Sequence, residues 1–212
     1  MDNRFYNTST RKKKGEWAYV LGTGDSKYDL GLYYLSGMIH ELLTAYYYSH
    51  LNASRHVSEE IYEIKSENEG LRFLEKVLSV FITVTLSKLI EHKRDTWNFH
   101  QLLKEAKSLD WADYKEIEQA IADFEKKIRF IKDNRDERFA HTSKANQPNV
   151  FHVMAVGYDG FIIEAMITLD MLVEGMIPYE LTDSSSNEVD LRAFIDQKKD
   201  LRLDSDDAQH RL

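Results

Sequence analysis

Only two prolines and nine glycines punctuate the 212 residues, and this scarcity of chain breakers constrains the fold more than any other feature. Long helices can run uninterrupted, whereas an all-β sandwich or barrel needs turn signals roughly every 8–12 positions. The apolar pattern points the same way. From about Tyr28 to Leu51, apolar residues recur at Leu32, Leu35, Ile39, Leu42, Leu43 and Tyr46, the i, i+3, i+4, i+7 spacing of one helix face. Tyr33, Tyr34, Tyr46, Tyr47 and Tyr48 thicken that face, as aromatics at helical spacing do in a core or interface.

Four further helices follow by the same reasoning. One spans about Gly70 to His92, with Leu74, Val77, Leu78, Phe81, Ile82, Thr85, Leu89 and Ile90 inward. Its β-branched residues (Val77, Val80, Ile82, Thr83, Val84, Thr85) lower intrinsic propensity, so packing must hold it. Asp95-Thr96-Trp97-Asn98 supplies capping candidates for a short helix from Phe99 to about Ser108. Asp110 then caps a longer helix whose inward face reads Ile117, Ile121, Phe124, Ile128 and Ile131, and Pro148 stops anything that continues past His141. The last, about Asp159 to Gly175, carries Ile162, Ala165, Met166, Leu169, Val173 and Met176 inward and ends at Pro178.

The expected fold is therefore all-α, a four- to five-helix bundle over residues 28–177. Residues 1–27, with the run Arg11-Lys12-Lys13-Lys14, read as a flexible basic N-terminal arm. A polar loop with a short helix near Glu59 to Ile64 separates the first two long helices. Residues 178–212, rich in Ser and Asp, read as a polar acidic tail with a small helix around Val189 to Lys199.

Composition removes several function classes. The chain has no cysteine, which excludes disulfides, thiolate zinc sites and a thiol nucleophile. Met1-Asp2-Asn3-Arg4 lacks a signal-peptide core, and the most apolar run, Val77 to Ile90, is too short to span a bilayer. A cytoplasmic protein without a membrane partner is expected. A net charge of −8 argues against coating nucleic acid through bulk electrostatics. Yet between Glu125 and Lys144 seven basic residues face four acids, a local +3 against −11 elsewhere. Such an island suits a confined phosphate site.

Within the island, Arg135-Asp136-Glu137-Arg138-Phe139-Ala140-His141 is the informative segment. The inward stripe of its helix, 117, 121, 124, 128, 131, reaches 135 next, and that position holds an arginine. A guanidinium on a core face must be paired or must face a groove. His141 lies about 9 Å further along a helix and about 120° round it, so both can border one groove. Arginine plus histidine suffices to cleave RNA, because the 2′-hydroxyl is an internal nucleophile. Histidine can take its proton and arginine can stabilise the crowded phosphate. On the residues alone, a surface ion pair at Arg135 and a helix-ending His141 remain the alternative.

The segment resembles the signature of the HEPN superfamily: an arginine, a polar residue (Asn, Asp or His), then a histidine after four to six intervening residues. Five intervene here, and Asp136 fills the polar slot. Phe139-Ala140-His141-Thr142 is similar to the abortive-infection branch. So is the order of an apolar helix ending Leu86-Ser87-Lys88-Leu89-Ile90-Glu91, a short helix with Leu102-Leu103, and the motif-bearing helix. The similarity covers roughly 70–175, with Tyr28 to Leu51 as the first helix. That branch often has Asp where Glu91 stands, so Glu91 is given no role.

The resemblance implies an all-α, often dimeric, metal-independent endoribonuclease acting as a toxin beside an antitoxin protein or in defence against phage. Arg135, Asp136 and His141 would form the catalytic site, with Lys132, Arg138 and Lys144 beside it to hold RNA. Some members are catalytically silent and bind RNA, nucleotide or a partner protein. No cofactor and no metal are expected; His92 and His100 lie across a loop with Glu91 adjacent, a weak grouping for a metal. His40-Glu41 lacks the second histidine of a zinc-protease helix, and Gly22-Thr23-Gly24 lacks the Lys-Ser/Thr of a phosphate loop.

Overall fold

The computed structural model describes residues 27–58, 65–93, 95–107, 114–135, 158–173, 176–183 and 185–197, with backbone alone at 52–58, 65–69, 71–72, 130 and 132–135. The basic arm, the short helix at Glu59 to Ile64, the Asp110 cap, Pro148 and the end of the tail lie outside the described residues.

Helix carries most of the described chain. The elements are α1 (Lys27–Ser58), α2 (Lys65–Leu89), α3 (Phe99–Lys107), α4 (Tyr114–Arg135), α5 (Asp159–Val173), β1 (Glu180–Thr182), β2 (Glu188–Asp190) and α6 (residues 191–197). No described helix is long and apolar enough to cross a membrane.

The α5 sequence is apolar all round, and such a helix is stable only when neighbours surround it. It packs against α1, α2, α3 and α4, burying Ile162, Ile163, Met166, Leu169 and Leu172. The α1 stripe from Leu32 to Tyr46 is buried as its spacing predicts, and so is the α4 stripe from Ile117 to Ile131. Each fully buried Leu or Ile contributes about 1.5–3 kcal/mol of transfer free energy. Two hydroxyls bond across this core: the Tyr28 hydroxyl donates to Leu172 O at 2.9 Å. Thr83 Oγ1 and the Tyr158 hydroxyl lie 2.9 Å apart, joining α2 to the start of α5.

Two inward assignments are corrected. Leu74, Val77 and Phe81 on α2 are 37–44% exposed, and only Ile82, Thr85, Leu89 and Ile90 of that stripe are buried. Met176 is 69% exposed. Helical period marks a face, but the face is buried only along the length where another element covers it.

The boundary at 177 also shifts. Ile177, Tyr179, Leu191 and Ile195 are each at most 2% exposed, so residues to 197 belong to the packed body rather than to a polar tail. β1 and β2 pair antiparallel with Leu181 opposite Val189. The polar residues there are turn and cap residues. Asp183 Oδ1 accepts from the amides of Ser185 at 2.8 Å and Asn187 at 2.9 Å, while Ser186 takes a left-handed φ of 64°. Asp190 Oδ1 accepts from the amides of Arg192 at 2.9 Å and Ala193 at 3.0 Å, an N-cap for α6.

Candidate functional site

The C-terminal end of α4 carries the first part of the sequence-predicted site. Its backbone stays helical through Arg135, the last residue of the element, so position 135 continues the register of Ile117, Ile121, Phe124, Ile128 and Ile131. Lys132 sits in the same final turn. Asp136, Arg138, His141 and Lys144 lie outside the described residues, as do the side chains of Lys132 and Arg135. Three partners fix the helix that leads into them: α4 packs on α2, α3 and α5. At its other end the Tyr114 hydroxyl donates to Ala106 O at 2.8 Å, and Lys127 pairs with Glu164 of α5 on its exposed side.

A second constellation lies about three turns earlier on α4. Phe99 and Phe124 meet edge to face in the core, centroids 5.6 Å apart at 71°. That contact brings the next residue of each helix, His100 and Glu125, to one rim. His92 completes the group. α2 ends at Leu89, three residues before the expected His92, in tightened turns from Ile90 N to Ser87 O and Glu91 N to Lys88 O, both 3.3 Å. His92 is thereby released from the helix and turns toward α4.

The link between the two histidines is held by Asn98. This fully buried side chain accepts the Gln101 amide at 2.9 Å as the N-cap of α3. Its amide donates to Thr96 O at 3.0 Å and Lys93 O at 3.3 Å. The imidazoles of His92 and His100 stack at 4.1 Å, 29° between planes. Glu125 faces both, with Oε1 3.5 Å from His92 Nε2 and Oε2 3.4 Å from His100 Nε2. Burial and the neighbouring His92 hold the His100 pKa below its ordinary value, and Glu125 opposes them. The 3.4 Å approach to Glu125 lacks hydrogen-bond geometry, so the buried Nε2 of His100 has no hydrogen-bond partner.

Among the described residues, His92, His100 and Glu125 are the group whose ligand atoms could hold a metal, all within 4.8 Å of one another. The sequence expectation of no metal gave these residues no role and did not place Glu125 beside the histidines. Glu91, adjacent in sequence, pairs instead with Lys93 at 3.0 Å. The signal for Glu125 was its place one residue beyond the core residue Phe124, matching His100 one residue beyond Phe99.

A third feature is a cleft of about 230 Å³ between α1 and the hairpin, lined by Tyr33, Ser36, His40, Tyr179 and Glu188 among others. His40 Nε2 donates to the Glu180 carbonyl at 2.8 Å, which ties the hairpin to α1. The Tyr179 hydroxyl is buried without a hydrogen-bond partner. Burial, then the Asp170 carboxylate, push its pKa far up, with Arg192 opposing. That phenol therefore stays neutral.

No family model matches the chain, and no curated protein or solved structure is significantly similar to it.

Proposed function

We propose that this chain is a metal-independent endoribonuclease of the HEPN type, cutting RNA through attack of the 2′-hydroxyl on the adjacent phosphodiester. The observation that carries the reading is the course of α4. The helix holds its register through Arg135, so the Arg135–His141 segment begins where a buried apolar stripe gives way to a cation. A helical bundle with this order of long, short and long helices is also the architecture the resemblance implies.

In this reading His141 removes the 2′-hydroxyl proton and Arg135 stabilises the charge that builds on the phosphate. Asp136 orients its neighbours, and Lys132, Arg138 and Lys144 hold the RNA backbone as point charges. One histidine supplies a base but no separate acid for the leaving oxygen. A two-fold dimer apposing two motifs would supply both. A toxin or phage-defence role with an antitoxin partner follows from the resemblance, and a cytoplasmic address belongs to the same proposal.

The test is product chemistry on RNA and on RNA carrying a 2′-deoxy sugar at the cut. Expected products are 2′,3′-cyclic phosphate and 5′-hydroxyl ends, with the deoxy substrate resistant and metal-stripped protein still active. His141→Ala and Arg135→Ala, each checked for folding by circular dichroism, should lose about 10²- to 10⁴-fold. Cleavage at wild-type rate by His141→Ala overturns the assignment. RNA retention without cleavage by the wild-type chain would put the catalytically silent module in its place.

A further inference from the structure

We infer that His92, His100 and Glu125 form a binding site for a single divalent transition-metal ion of the zinc type, stapling the loop between α2 and α3 to α4. The inference goes beyond the ribonuclease reading and does not rest on it.

Three observations carry it. The first is chemical. Two imidazoles and one carboxylate are a ligand set that zinc takes in sites keeping one position open to water, with metal–ligand lengths of about 2.0–2.2 Å. The nitrogen and oxygen ligands suit zinc and its first-row neighbours and not calcium or magnesium, which take oxygen.

The second is geometric. Ligand atoms about 2.05 Å from a tetrahedral centre lie about 3.3–3.4 Å from one another. Glu125 Oε1 stands 3.5 Å from His92 Nε2 and Glu125 Oε2 3.4 Å from His100 Nε2, so each ring lies at about edge length from one carboxylate oxygen. With one ligand atom taken from each residue, all three lie within 4.8 Å of one another, and a modest shift brings them to tetrahedral spacing. His92, whose side chain is 62% exposed, can make that shift by swinging and unstacking from His100.

The third is the unmatched atom. If Glu125 were only a counterion, it would accept a hydrogen bond from each ring. His100 Nε2 is buried and makes none. It lies 3.4 Å from Glu125 Oε2, and a cation shared between the two would satisfy both. The scaffold is preorganised as well. Asn98 fixes the spacing of the two histidines, and the Phe99–Phe124 contact fixes α3 against α4. The ordering left to oppose binding is that of the His92 side chain.

The experiment titrates metal-stripped full-length protein with Zn²⁺ by calorimetry and with Co²⁺ by visible absorption. Expected are one ion per chain, the intense visible bands of four-coordinate cobalt, and a higher melting temperature with zinc. His92→Ala, His100→Ala and Glu125→Gln should each weaken binding at least ten-fold. Glu118→Gln, elsewhere on α4, should leave it unchanged. His92→Ala removes an exposed side chain, so its fold is safe even if His100→Ala disturbs packing. No stoichiometric uptake by the wild-type protein overturns the inference, and so does equal affinity in His92→Ala and Glu125→Gln. RNA cleavage by the stripped protein is a separate readout, and its loss or persistence bears on the ribonuclease reading alone.

Discussion

Arg192 gives the sharpest test of whether residues 176–197 are part of the folded body. Its guanidinium donates through Nη1 to Asp170 Oδ2 at 2.7 Å and through Nη2 to Asp170 Oδ1 at 2.9 Å. Two further bonds go to the Ile177 carbonyl, at 3.2 Å from Nε and 2.9 Å from Nη2. Asp170 in turn accepts the Ile177 amide at 3.2 Å. The pair is 12% and 16% exposed, and the guanidinium lies 5.5 Å from the Tyr179 ring centroid. Removing one partner of such a pair leaves the other charge desolvated, at about 3–5 kcal/mol. Residual exposure argues for the lower end, so Arg192→Ala should cost about 3 kcal/mol, or about 6–12 °C of melting temperature for a chain of this size. Asp170→Ala should cost a similar amount, and the double variant little more than either single one. Arg192→Lys should rescue poorly, because an ammonium cannot bridge both carboxylate oxygens and the carbonyl. Urea unfolding at constant slope reads all four. A cost below about 1 kcal/mol, or full additivity, would mean that apolar contacts alone hold the segment.

Two other outcomes follow from local geometry. A β-carbon at Gly31 would meet Trp97 Cε3 and Cζ3 at 2.6 Å and Leu102 Cδ1 at 3.2 Å; Gly31→Ala should destabilise by about 1–2 kcal/mol, the clash outweighing about 1 kcal/mol of gained helix propensity. In a Trp97→Ala background the same change should become stabilising, and chemical denaturation would decide. Asn187, by its side chain first and then its amide, holds the exposed Asp183 carboxyl below the ordinary carboxylate range, with the Ser185 amide adding to it. A depressed folded-state pKa contributes stability above the unfolded value that is lost as pH falls through the folded one. The Ser185 and Asn187 amide resonances should therefore shift together at a midpoint below that of a free aspartate; a midpoint at the ordinary value would contradict the turn.

How much of this was legible in the sequence depended on whether a signal was local. The α1 and α4 stripes were readable residue by residue because each is buried along its whole described stripe. The α2 stripe was readable as a helix but misread as buried over Leu74, Val77 and Phe81, since period carries no information about where a covering element stops. The segment after Pro178 was misread for a different reason. Its buried residues Ile177, Tyr179, Leu191 and Ile195 are scattered singly, and its Ser, Asp and Asn look like solvated chain until their side chains are seen closing a turn and capping a helix. The nearness of Glu125 to the histidines was hard to read because it is 25 positions from His100 and 33 from His92, and it is the packing of Phe99 on Phe124 that makes them neighbours.

The two assignments on α4 are physically separable, and that is what makes each worth testing. Ten residues of helix place Arg135 about 15 Å beyond Glu125, farther than a charge at the surface acts strongly through physiological salt. A metal at Glu125 would therefore not serve as the Lewis acid at a phosphate beside Arg135. Its effect would pass through rigidity instead. α4 is anchored by α2, α3 and α5 over Ile117 to Ile131, and the metal would add one more anchor near its middle. Stripping the ion should thus lower the melting temperature while leaving cleavage at 25 °C nearly intact. A parallel loss of both at that temperature would place the metal in the chemistry and the present reading of Arg135 and His141 in error.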